Sequence, residues 1–126
     1  MSQDIVSDAL NMMDNAKKSR KEFVVIKRIS NLLIEILKIM KQEEAVKKYK
    51  INSKEKSIEV SFGDFSKCQA IKPRLTVDKS QIEKYRRRYL PARDIGTLII
   101  STNKGLMTHT EAKDEQIGGC LMAFFY

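Results

Sequence analysis

The stretch Ser101–Tyr126, STNKGLMTHTEAKDEQIGGCLMAFFY, decides how the rest of the chain is read. It follows the apolar run Leu98-Ile99-Ile100, opens with hydroxyl and amide side chains, and closes on a glycine pair followed by seven nearly continuous apolar residues. This pattern predicts a strand, a polar loop, a short helix and a final buried strand. In the loop, Ser101, Thr102, Asn103 and Lys104 carry donors and acceptors suited to sugar, phosphate or base edges. Gly105 supplies the freedom for a tight turn. Thr108-His109-Thr110-Glu111 reads as a capping box, so a short helix continues over Ala112 to Glu115. Gly118 and Gly119 permit either positive φ angles or very close backbone approach before the last strand.

Immediately upstream, Thr97 to Ile100 is a strand entered through the turn Asp94-Ile95-Gly96, and Pro91 ends the helix before it. That helix begins at Ser80-Gln81-Ile82-Glu83, a second capping box in which Ser80 is expected to cap. Arg86, Arg87 and Arg88 follow at about 100° per residue, so they sweep most of one side of the helix and cannot all be buried. They form either a solvated face or a phosphate contact. Ile82, Tyr85 and Tyr89 make the opposing apolar side. Further back, Ile71, Pro73, Leu75 and Val77 alternate with Lys72 and Arg74; Pro73 lacks an amide hydrogen, which puts this strand at a sheet edge or bends it.

The first half has a different rhythm. Ile5, Val6, Ala9, Leu10 and Met13 fall at helical spacing, with Asp8, Asn11 and Asp14 on the other face. The basic loop Lys17 to Lys21 leads into a β-branched strand, Phe23 to Ile26, and Lys27 sits where that strand meets the next helix. Ser30 is a good N-cap for that helix, whose apolar stripe Leu32, Leu33, Ile36, Leu37 and Met40 marks it as a core element. Met12, Met13 and Met40 are read as gap fillers in the core rather than as a partner groove. Val46 to Ile51 and the alternating Ile58, Val60 and Phe62 give two strands joined through Asn52-Ser53-Lys54. The fold class is therefore α+β: two small α/β subdomains packed together, residues 1–63 as helix-strand-helix-strand-strand and residues 64–126 as a strand-rich unit with short helices. The boundary is set at Gly63 to Lys67, where a glycine and polar residues separate two strand patterns.

Composition narrows the function classes. The chain has 126 residues, enough for a modest core, with 24 Lys and Arg against 16 Asp and Glu, a net charge of +8. Such a balance in a short chain favours a polyanionic partner, because neutralising phosphates releases condensed counterions; a merely solubilising surface is the alternative. The two cysteines, Cys68 and Cys120, lie far apart with no metal-ligand spacing around them, which argues against a disulfide scaffold or zinc site and for small buried apolar residues. No cofactor is expected. The N-terminus lacks the basic and apolar sections of a signal peptide, and the apolar runs are short and flanked by charge, so a cytosolic, non-membrane protein is expected. His109 is the one histidine, with no nucleophile or orienting carboxylate spaced to serve it, and no catalytic set emerges. The glycine pair lacks the helix-opening pattern of a phosphate cradle and reads as a turn. From the residues alone the reading stops at an RNA- or DNA-binding module, in which the basic segments hold phosphates and the nearly uncharged C-terminal loop reads shape and base edges.

The residues also carry a resemblance. LIISTNKGLMTHTEA (98–112) followed by IGGCLMAFFY (117–126) resembles the C-terminal signature of the family of ribosomal protein eight of the small subunit: a strand ending in Ser-Thr-x-x-Gly, a Met, a polar helix start with Glu-Ala, and Gly-Gly before an aromatic end. DIVSDALNMMDNA (4–16) is similar to its first helix and Ile26 to Met40 to its strand and second helix, while KCQAIKPRL (67–75) and RYLPARDIG (88–96) have the archaeal and eukaryotic form. The chain departs from the family at Ile5, where many members have proline, at Gln69, where many have glycine, and at Arg28 to Asn31, where a Pro-x-Ser-Lys pattern is favoured. The resemblance implies a non-enzymatic protein of the cytoplasmic small ribosomal subunit that binds the central domain of its ribosomal RNA, supports its assembly and touches neighbouring small-subunit proteins, with no small-molecule substrate. It implies that Ser101, Thr102 and Asn103 read the RNA, with Lys104 and Gly105 completing their loop and Gly118 and Gly119 shaping the next turn. It further implies RNA-proximal roles for Asp4, Asn15, Lys27 and Ser30 and for the basic strand residues Lys72 and Arg74; Arg87 is added from charge. A free DNA- or RNA-binding regulator using the second helix or the arginine helix is the alternative.

Overall fold

The computed structural model describes residues 5–27, 30–91 and 95–126, with the backbone alone at 72–74. Among them the elements run α1 (Ile5–Lys18), β1 (Phe23–Ile26), α2 (Asn31–Gln42), β2 (Val46–Asn52), β3 (Ser57–Phe62), β4 (Cys68–Val77), α3 (Ile82–Tyr89), β5 (Thr97–Thr102), β6 (Gly105–Thr108), α4 (His109–Glu115) and β7 (Gly119–Phe125). The fold is α+β, with one three-stranded sheet of order β1-β3-β2 and one four-stranded sheet of order β4-β7-β5-β6. The chain divides into two compact units, Met1–Gln69 and Ala70–Tyr126.

In the first unit, α1 and α2 supply the core. Leu33, Ile36, Leu37 and Met40 on α2 and Met13 on α1 are wholly buried, as are Ile58 and Val60 on the central strand β3. Removing such a side chain to alanine costs about 2–5 kcal/mol, because the cavity collapses only partly. Ser30 caps α2 as its sequence position predicts: its side-chain oxygen accepts the Leu33 amide at 3.1 Å. Asp14 departs from the expected solvent face. It is buried, accepts the Cys68 amide through Oδ1 at 3.2 Å and pairs through Oδ2 with Lys18 at 3.0 Å. The Cys68 thiol donates to the Leu10 carbonyl at 3.4 Å, so the segment after β3 is tied back to α1 at two points. Burial first, and then the Asp14 carboxylate, push that thiol up to about 12.

In the second unit β4 is an edge strand, the first of the two placements that Pro73 allows. One face of the sheet carries the cluster of Ile71, Val77, Leu98, Ile100, Met107, Leu121 and Phe124, joined by Ile82 from α3 and Ala112 from α4. Tyr85 and Tyr89 pack on the same cluster from α3. The expected cap at Ser80 does not form: α3 starts at Ile82 behind Gln81, which makes no side-chain cap and instead accepts the Asp78 amide at 2.9 Å. Glu83 turns away from the helix start to hold Arg86 at 2.7 Å, burying that arginine, while Arg87 and Arg88 stay exposed. The cap expected at Thr108 does form: its hydroxyl accepts the Glu111 amide and donates to the Glu111 carboxylate, both at 3.2 Å, so the carboxylate meets the hydroxyl in place of the Thr108 amide. His109 is then buried, and its Nδ1 accepts the Leu98 amide at 3.1 Å, pinning α4 to β5.

The expected loop after Ile100 is tighter than the sequence suggests. β5 continues through Ser101 and Thr102, and Gly105 to Thr108 return as β6, pairing Thr102 with Gly105 and Ser101 with Leu106. Gly105 takes φ 109°, which accounts for glycine there.

Two measurements test this packing. Ser30→Ala lowers the unfolding free energy by about 1 kcal/mol in urea titration, and Ser30→Asp restores most of it. Burial, then Arg86, holds the His109 pKa below its ordinary 6.5, so the unfolded chain takes up the proton first as pH falls. The contribution of this neutral histidine is complete above pH 6.5 and is lost below it, until the folded form titrates too. Thermal melts of wild type between pH 7.5 and 5.5 lose stability more steeply than those of His109→Asn, which keeps an acceptor for Leu98 but does not titrate.

Candidate nucleic-acid interface

The polar residues 101–104 gather at the tip of the β5–β6 hairpin. β5 is the central member of three antiparallel strands, with β7 on one side and β6 on the other. Leu98, Ile99 and Ile100 are completely buried, after which Ser101 and Thr102 emerge half-buried and Asn103, Lys104 and Gly105 are exposed. The strand thus passes from core to solvent within one residue and holds its last side chains on a rigid support.

The four polar residues have unequal freedom. The Thr102 hydroxyl donates to the Gly105 carbonyl at 2.8 Å and accepts the Lys104 amide at 3.1 Å, so it is spent in closing the turn. Lys104 leans to α4, its Nζ 3.5 Å from the Glu115 carboxylate, an exposed pair of about 0–1 kcal/mol. The side chains of Ser101 and Asn103 make no hydrogen bond among the described residues and are available to a ligand. Ser101 pairs across to Cys120 on β7 and to Leu106 on β6. Its carbonyl lies against the backbone of Gly119, where a Cβ would collide with it, and a Cβ on Gly118 would collide with the carbonyl of Val77. Of the two roles open to the glycine pair in the sequence, close backbone approach is the one realised.

Charge around this tip is low. Lys104 and Lys113 are both drawn to carboxylates, Glu115 at 3.5 Å and Glu83 at 3.9 Å, and Glu111 and Asp114 lie on the same short helix. Arg87 is exposed on α3. Lys72 and Arg74 lie in the edge strand β4, with their side chains outside the described residues. In the first unit Asn15 is exposed in the C-terminal half of α1, and Lys27 follows β1 in a groove shared with Asp8 and Met12. Ser30 is committed to capping α2. Asp4 lies outside the described residues.

In the second unit His109 is buried with Nδ1 occupied by the Leu98 amide, and in the first unit Cys68 is a buried thiol held protonated. Among the described residues no group of three or more His, Cys, Asp or Glu is placed to hold a metal ion, and no helix is long and apolar enough to cross a membrane.

Comparison with known proteins finds relatives along the whole chain. Residues 4–126 match the family model of ribosomal protein S8. The chain is 43% identical to small ribosomal subunit protein uS8 of Nanoarchaeum equitans, 39% identical to that of Picrophilus torridus and 36% identical to that of Archaeoglobus fulgidus, in each case covering all of both chains. With a full-length family match and relatives well above 30% identity, the chain belongs to the ribosomal protein S8 family.

Proposed function

We propose that this protein is a structural, non-enzymatic component of the small ribosomal subunit in the cytoplasm, and that it binds the central domain of small-subunit ribosomal RNA through the β5–β6 hairpin tip and supports its assembly beside neighbouring small-subunit proteins. Family membership carries the first half of this reading. The second half rests on one observation: Ser101 at the end of β5 and Asn103 just past it present polar side chains that make no hydrogen bond among the described residues, in a neighbourhood of little net charge. Groups of that kind read base edges, 2′-hydroxyls and local shape, whereas lysines and arginines elsewhere neutralise phosphates. Thr102 and Gly105 hold the shape of the tip, and Gly119 lets β7 approach the Ser101 carbonyl closely enough to fix its direction. Asn15, Lys27, Lys72, Arg74 and exposed Arg87 are proposed as backbone contacts that position the protein without specifying sequence; Asp4 is proposed as an RNA neighbour on resemblance alone. Nothing in the family match favours a free regulator of DNA or RNA.

Filter binding to a central-domain RNA fragment at physiological salt tests the reading, and equal affinity for an unrelated hairpin of the same length overturns it. In the same assay Ser101→Ala and Asn103→Ala each weaken specific binding by about tenfold, the scale of one lost base-edge contact, while leaving the salt dependence unchanged. Arg87→Ala instead lowers the slope of log K against log salt by about 0.9 and weakens specific and unrelated RNA alike.

A further inference from the structure

A second surface, in the first unit, has a chemistry that the hairpin tip lacks. A cleft of about 570 Å³ opens beside the end of α1 and is lined by Lys17, Arg20, Lys21, Lys47 and Lys48, with Glu22 as the one carboxylate and Phe23 as an aromatic wall. Lys17 is committed to the fold: its Nζ donates to the Gly63 carbonyl at 3.1 Å and lies 5.5 Å from the centre of the Phe65 ring. The other four cations have no ion pair among the described residues.

Two backbone features bring these cations together. α1 ends in a left-handed residue, Arg20 at φ 62°, with the Lys21 amide bonded to the Ala16 carbonyl and the Arg20 amide to the Lys17 carbonyl, both at 3.0 Å. This closure fixes the course of the chain at Arg20 and Lys21. On the facing edge of the sheet, β2 slips register against β3: Val46 pairs with Phe62 and Lys48 with Ser61, leaving Lys47 as the extra residue of a bulge. Bulges re-aim side chains, and this one puts two consecutive lysines on one cleft, where a regular strand would send them to opposite faces. Beside them Phe23, on the edge strand β1, is 51% exposed, an unusual place for a phenylalanine.

We infer that this cleft is a second RNA contact that takes a single-stranded segment, with Arg20, Lys21, Lys47 and Lys48 on successive phosphates and the Phe23 ring stacked on a base. Both halves of the site are needed for that assignment. Four cations against one carboxylate select a polyanion, and an exposed ring beside them favours one with free aromatic faces at regular spacing; a duplex keeps its base faces stacked and runs of acidic side chains have none to offer. The site stands on residues of the first unit alone and is independent of the hairpin reading.

The chain contains no tryptophan, so Phe23→Trp gives the full-length protein a single indole reporter at the cleft. Titration with an eight-nucleotide oligouridylate is expected to quench it, while an abasic strand of equal length binds more weakly and leaves the fluorescence unchanged. Lys47→Ala with Lys48→Ala lowers the salt slope for oligouridylate by about 1.4, or 0.7 for each lysine on a single strand. Phe23→Ala weakens binding roughly tenfold, in line with loss of one stacked base. Ser101→Ala changes none of these values, whereas it governs the central-domain RNA assay, so either reading can fail without the other. All the substituted side chains lining the cleft are exposed, and circular dichroism checks that the variants fold. Oligouridylate that binds without quenching the indole, equal affinity of Phe23→Ala and wild type, or equal quenching by polyglutamate each overturns the inference.

Discussion

β5 is buried on both faces at three successive residues, Leu98, Ile99 and Ile100, and that constraint governs the second unit. A strand with no solvent face must have its amides and carbonyls paired on both edges, since an orphaned buried peptide group costs about as much as a lost hydrogen bond. β6 and β7 supply those pairings, and α3 and α4 cover the face bearing Leu98 and Ile100. His109 adds a further tie by accepting the Leu98 amide from the start of α4. Because the burial stops abruptly, the next two residues inherit a rigid position without being part of the core. Ser101 gains its fixed position from the apolar residues that precede it.

As proposed, the hairpin tip and the basic cleft would divide RNA binding by physical mechanism. Hydrogen bonds from uncharged side chains depend on angle and distance, so they need the rigid strand end and the close β7 approach that Gly119 permits. Phosphate attraction acts over nearly a nanometre in physiological salt and tolerates long, mobile side chains on loops and bulges. Each kind of contact has the backbone support it requires. Short polar groups stand on buried backbone, and long cations stand at Arg20, Lys21, Lys47 and Lys48 on a helix end and a bulged edge. At the tip itself Lys104 stands beside the Glu115 carboxylate, which offsets its charge.

Most of the element order is legible in the sequence because burial leaves a periodic trace. The alternation of Ile58, Val60 and Phe62 and the helical spacing of Leu33, Ile36, Leu37 and Met40 each point to one structure, and Ser30 and Thr108 announce their helices by residue type. Helix ends are harder to read. Arg20, Glu44 and Gln116 occupy the left-handed closing positions of α1, α2 and α4, where glycine is the usual signal, so the stops carry no marker in the sequence. The Ser80 cap gives way to other contacts of equally short range: Glu83 holds Arg86 three residues on, and Gln81 accepts the Asp78 amide three residues back. β6 is hidden because four residues, GLMT, are too few to display a period. At the site, Ser101 to Gly105 can be seen as a polar cluster, but the commitment of Thr102 to the turn cannot, since it depends on the pairing with Gly105. The cleft beside α1 needs the bulge at Lys47, which leaves no mark in the spacing of residues.

The contrast between the two cysteines has a practical side. Cys68 is closed off from solvent, hydrogen-bonded to the Leu10 carbonyl and held in the thiol form by burial, so thiol-directed reagents find no nucleophile there in the folded protein. Cys120 is partly exposed and sits directly across from Ser101. Of the two cysteines, Cys120 is therefore the one with solvent access, on the strand beside the hairpin tip. A thiol-directed spin label or fluorophore would discriminate between the two and report from the strand next to the proposed contact with RNA.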